Sequence, residues 1–193
     1  MSRARFERSV AYHCAPALVG LKPASLISLS AEDYPALPRL AADYSRLLAA
    51  RGIRMEVLCR CRRRFLLLVY RPALLERCLR SAPVAELLAE TGYPAGDSCA
   101  ALLRRLSSRI TAGGAFPHEL GLFLGYPPGD VAAFMAHGGS NCRLCGEWKV
   151  YQDVEGARRQ FQKFALCRSA LCTRLAQGRS LLGLLGAAEY PAA

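Results

Sequence analysis

The sequence predicts an α+β fold: a small, mostly antiparallel sheet of about three to four strands, including a hairpin over residues 53–70, covered by helices. Two observations lead there. Apolar residues recur at helical spacing along most of the chain, and between residues 53 and 70 the period switches to two. A third sets the scale. A length of 193 residues, with 52% hydrophobic and 21% charged side chains, suits a single domain over 1–193 with a substantial core.

Residues 3–14 read as a helix stopped at Ala15-Pro16, and Gly20-Leu21-Lys22-Pro23 is a joint ahead of a short strand at 25–29. From Pro35 to Ala50, Leu37, Leu40, Ala41, Tyr44, Leu47 and Leu48 share one helical face, which Gly52 closes. Ile53, Met55, Val57, Cys59 and Cys61 then alternate with Arg54, Glu56, Leu58 and Arg60, the period of a strand. Arg62–Arg64 turns the chain. The apolar run FLLLVYR returns as a strand buried on both sides. Residues 72–109 are helical, cut into three by Pro83 and by Gly92-Tyr93-Pro94, with Asp97 the expected cap of the third helix. After Gly113-Gly114, Pro117–Leu124 reads as a short helix with proline first, and Pro128–His137 as another. Trp148–Tyr151 is a strand, Asp153 caps a long helix reaching Ala176, and Leu181–Ala188 is a last apolar helix beyond Gly178.

The formal net charge is +11, yet only Lys22, Lys149 and Lys163 are lysines; the remaining basic residues are arginines, densest at Arg60 and Arg62–Arg64. Such a surface admits anionic partners, nucleic acid among them. The cluster has no interleaved aromatics on which bases would stack, so nucleic acid is not favoured. The longest apolar runs, such as Phe65–Tyr70, are too short to span a bilayer, and no membrane association is expected. The first eight residues carry charges where a secretory signal needs an apolar core, which predicts a cytoplasmic protein. Nine cysteines, an odd number in a chain of this kind, read as free thiols and not as a disulfide scaffold.

Chemically costly residues concentrate in FPHELGLFLGYPPGDVAAF (116–134) and CGEWKVY (145–151). Together with HCAPALVGLKPASL (13–26), VYRP (69–72), GYP (92–94) and Cys167, these segments carry a resemblance over nearly the whole chain. The chain resembles an uncharacterised bacterial family, a domain of unknown function common in anaerobes. Ala17 stands where that family usually has threonine. The resemblance assigns no role to any residue.

The residues themselves offer candidates. Cys142-x-x-Cys145 has metal-ligand spacing, but zinc needs four converging donors. Cys167 and Cys172 cannot both complete the set, because five residues along one helix turn side chains roughly 140° apart. That leaves Cys145, Cys142, Cys167 and His118 as the candidate ligands of a zinc or iron site. A thioredoxin-like role is disfavoured, since here a strand follows the motif and that motif should open a helix. His118 is a candidate acid–base group, with Glu119 beside it and Cys14, next to His13, as candidate nucleophile. Adjacent helical residues point apart, so neither His118 with Glu119 nor His13 with Cys14 forms a direct dyad. Lys22 and Lys149, rare ammonium groups in an arginine-rich chain, and Trp148 with Tyr151 are candidate ligand contacts. The expected function is a binding or accessory protein with a His/Cys pocket, related to a metal or metallocofactor. The alternatives are an enzyme using His118 with Cys14 or Glu119, and an arginine-rich nucleic-acid-binding protein.

Overall fold

Three antiparallel strands form the sheet in the order β1 (Ala24–Ser30), β3 (Arg64–Tyr70), β2 (Arg54–Arg60). The structure is a computed structural model that describes residues 3–60, 63–113 and 115–187. The most apolar strand takes the middle, as its unbroken run requires: Phe65, Leu67 and Val69 enter one core, while Leu68 enters another on the opposite face. The β2–β3 hairpin covers the span expected of it, although Cys61 and Arg62 lie outside the described residues. Leu58, alternating with Val57, enters the second core as the strand period requires, and the pairing slips between Val57 and Cys59.

The first core packs α1 (Arg3–Leu18) and α2 (Leu37–Leu47) against the sheet around Phe6, Tyr44 and Phe65. The second lies under α3 (Pro72–Leu79), α4 (Ala82–Glu90) and α5 (Cys99–Thr111). Next come α6 (Leu120–Phe123), α7 (Pro128–Ala136), a two-stranded hairpin β4 (Leu144–Cys145) and β5 (Lys149–Val150), the long α8 (Val154–Ala176) along α1, and α9 (Leu181–Leu184). The buried Glu7 ties three of these together, accepting from Tyr44 Oη at 2.5 Å and from the Leu181 amide at 2.8 Å.

Several boundaries differ from those read in the sequence, each for a local reason. Helix α1 runs through Pro16 to Leu18. Proline has no N–H to offer the Tyr12 carbonyl, and Arg168 Nε of α8 fills that vacancy at 2.8 Å. Arg71, from VYRP, then closes the end of α1: it donates to the Ala17 carbonyl at 3.0 Å, to the Leu18 carbonyl, and to the Arg51 carbonyl at 3.0 Å. Ser98, not Asp97, caps α5, its hydroxyl accepting from Ala101 N at 3.2 Å. Helix α6 begins only at Leu120, which leaves His118 and Glu119 in the preceding turn. The closing helix stops at Leu184, and Ala188 and Gly114 lie outside the described residues. Asp153 caps α8 as expected, accepting from Gly156 N at 2.8 Å.

Candidate functional site

The 116–134 segment is drawn into contact with two others by close backbone approach. Gly125 has φ +74°, and a Cβ there would stand 2.4 Å from Pro23 Cδ, so a side chain would part the joint 20–23 from α6. Gly146 likewise gives way to Phe161 of α8, whose ring a Cβ would meet at 2.2 Å. The β4–β5 hairpin is thereby pinned between α7 and α8.

Asp130 holds it there. This buried carboxylate accepts from Trp148 Nε1 at 2.8 Å through one oxygen, and from Tyr151 N at 2.8 Å and Gln152 N at 3.1 Å through the other. The indole it fixes stacks on Tyr126 at 5.3 Å and meets Phe161 edge-on at 4.6 Å. The Tyr126–Trp148 stack is a partition with a cavity on either side.

The first cavity, about 300 Å³, is mostly apolar and lies between α6, α7 and the hairpin. His118, Phe134, Cys145, Trp148 and Lys149 all line it, so four of the residues put forward from the sequence come together with an aromatic ring that was not. His118 is exposed at the rim with its imidazole edge on the Phe134 ring, centroids 4.9 Å apart. Lys149 Nζ donates to the Gly139 carbonyl at 2.5 Å and lies 5.8 Å from the centre of the Phe134 ring. Cys145 is exposed. The second cavity, about 370 Å³, opens toward Lys22, Gln152, Gln160 and Phe164. Burial brings Lys22 down to about 8, with Glu147 opposing the shift and Arg168 adding to it.

The other candidates lie elsewhere. Cys14 is fully buried in the first core, lines neither cavity, and is pushed up to about 12 by burial, so it is not the accessible, activated thiol that a nucleophile must be. His13 beside it faces outward. Glu119 points away from His118 into the second core, where it accepts from Tyr93 Oη at 3.1 Å and pairs with Arg109 at 3.0 Å. Tyr151 stacks on His137 at 5.9 Å and lines neither cavity. Cys167 Sγ donates to the Phe164 carbonyl of its own helix at 3.2 Å and packs against the first core, and Cys142 lines neither cavity. Among the described residues no three His, Cys, Asp or Glu side chains form a group fit for a metal ion, so the set of Cys142, Cys145, Cys167 and His118 is not assembled.

A family model described as "Protein of unknown function (DUF3793)" matches residues 10–185, from within α1 to just beyond α9. The chain belongs to that family. The match spans every segment that walls the two cavities. No curated protein and no solved structure matches the chain.

Sequence reasoning missed Asp130, Tyr126 and Phe134. Asp130 in the first turn of a helix needs no explanation beyond the helix dipole. Its role depends on a hairpin arriving some twenty residues later, for which no local pattern stands.

Proposed function

We propose that the protein binds a small, flat, mainly apolar molecule in the first cavity, in a binding or accessory role. The observation that carries this reading is the lining itself: His118, Phe134, Trp148 and Lys149 put aromatic faces, an imidazole and an ammonium around one space. Pockets of this kind gain affinity from apolar and aromatic walls and orientation from a few polar groups. Its volume, about 300 Å³, stands at the lower end of the range for small-molecule sites. The ammonium of Lys149 and the imidazole of His118 favour a ligand with an anionic or acceptor edge.

His118 and Cys145 face the same cavity, which supports a narrower second reading. A bare ion needs three or four protein donors, but a metal already held in a macrocycle needs only one or two. A metallocofactor seated with its edge in this cavity would use His118 or Cys145 as that donor.

Trp148 is the only tryptophan and lines the cavity, so its fluorescence reports occupancy directly. Flat heteroaromatic fragments screened by ligand-observed NMR should include binders that quench Trp148 and weaken about tenfold on Phe134→Ala, the loss of one ring face. A screen with no such binder, or binders indifferent to Phe134→Ala, refutes the reading. For the narrower version, iron protoporphyrin should show a ligand-bound absorption band that His118→Ala or Cys145→Ser abolishes; a spectrum unchanged in both variants rules it out.

A further inference from the structure

Lys22 reaches the second cavity from the joint between α1 and β1, on the far side of the Tyr126–Trp148 partition. Its Nζ lies 4.9 Å from the centre of the Tyr126 ring and 5.8 Å from that of Phe164. Among the described residues no oxygen accepts a hydrogen bond from it and no carboxylate pairs with it. The charges around it are already engaged with one another. Glu147 on the hairpin bonds Arg168 of α8 at 2.7 Å. Asp130 on α7 holds Trp148 and two backbone amides, and Asp153 accepts from Gly156 N. From α1, Cys14 stays a neutral thiol, pushed up to about 12. Tyr126 stays a neutral phenol for the same reason, burial, with Glu147 adding to it.

An ammonium in such surroundings has lost part of its hydration, and Glu147, already bonded to Arg168, returns only part of it. The two aromatic faces return only a fraction of that loss. The neutral amine is therefore favoured far above its ordinary share. With ionisation near 8, about one Lys22 in ten is free amine at pH 7, against roughly one in 3,000 for an unperturbed lysine.

We propose that Lys22 is a nucleophile for a carbonyl compound, an aldehyde or ketone, which it captures as an imine inside the second cavity. The nitrogen lone pair adds to the carbonyl carbon and the carbonyl oxygen takes up a proton, giving a carbinolamine. Loss of that oxygen as water leaves a carbon–nitrogen double bond, so one carbonyl is consumed, one water is released and nothing is oxidised or reduced. A desolvated amine held against apolar walls is the environment that makes a lysine nucleophilic. Phe164 and Leu21 provide an apolar wall for the body of the ligand, while the amides of Gln152 and Gln160 offer hydrogen bonds to its polar groups. The proposal is independent of ligand binding in the first cavity, since Lys22 lines only the second.

The chain has three lysines, and two of them serve as internal controls. The whole protein is treated with benzaldehyde and cyanoborohydride, and benzylated lysines are mapped by mass spectrometry, with the N-terminal amine counted separately. At pH 7 Lys22 should be modified at least about tenfold faster than Lys149 and Lys163, with a rate that levels off above pH 8. Lys22→Arg, which keeps the charge, should lose that adduct alone. Modification of Lys22 no faster than Lys163, or a rate that climbs only near pH 10, overturns the proposal. So does protection of an unreactive Lys22 by benzoate, which would make the group an anion anchor instead.

Discussion

Replacing Asp130 by asparagine tests what holds the cavities together. The amide has the carboxylate's shape but only one oxygen. If that oxygen keeps the amides of Tyr151 and Gln152, its NH2 group faces Trp148 Nε1, donor against donor. A hydrogen bond to a charged acceptor contributes about 1.5–3 kcal/mol, and an unmatched buried donor costs a similar amount. The two surviving bonds weaken as their acceptor loses its charge, while the cost of burying a carboxylate disappears and offsets part of this. The net loss is about 2–3 kcal/mol, or a melting point lower by about 5–10 °C for a domain of this length. Melting followed by circular dichroism measures the loss. Trp148 emission, shifted to the red as the indole leaves its stack, locates it. In hydrogen exchange the amides of Tyr151 and Gln152 should lose protection while β3 keeps its own. A melting point within about 1 °C of the parent, with unchanged emission, would show that Asp130 does not hold the hairpin.

Three more expectations follow from the same bond counting. Cys14 in the folded protein should alkylate with iodoacetamide on the order of a thousandfold more slowly than an ordinary thiol at pH 8, and at the ordinary rate once unfolded, whereas Cys145 reacts in the native state; peptide mapping reads both, and a fast Cys14 would revive the nucleophile reading. Glu119→Gln should lower stability by about 1–2 kcal/mol, from the Arg109 pair and the Tyr93 bond, while leaving fragment binding in the first cavity unchanged; lost binding at full stability would contradict its structural role. Lys22→Met should raise stability by about 1–2 kcal/mol at pH 7, since the part-buried ammonium is penalised wherever the unfolded chain is protonated. The folded state ionises near 8 and the unfolded chain near 10.5, so the gain is full below pH 8 and fades as pH approaches 10.5; denaturant melts that show no gain at pH 7 would contradict the unpaired ammonium.

The sheet was legible because period and burial agree in it: FLLLVYR is apolar at every position up to Tyr70 and becomes the middle strand between two cores. The run of α1 through Pro16 was not, because the penalty of proline in a helix is assessed locally, whereas the guanidinium that relieves it is 152 positions away on α8. Arg71 behaves in the same way. In the sequence it is one of many arginines, and only the fold shows that it closes α1 and joins it to the stretch before β2. Arginine-rich composition therefore hides structural roles as well as inflating the charge. The slip between Val57 and Cys59 is hidden for another reason: strict alternation was visible, but a bulge leaves no mark in the residue types.

The same accounting separates a site from a costly core. Density of polar, aromatic and thiol side chains singled out Glu119, Cys14, Cys167, His118, Trp148 and the two lysines alike, and density cannot rank them. Bond satisfaction can. Glu119 has Tyr93 and Arg109, Cys167 has the Phe164 carbonyl, and Cys14 is closed in by the first core, so each is complete without a ligand. Asp130 is complete as well, and its completeness fixes the wall that both cavities share. Lys22 stands apart: its side chain lines a cavity, its ammonium lies over the Tyr126 ring, and no acceptor among the described residues meets it. Lys22 is thus the candidate in this region whose bonding is left open for a ligand.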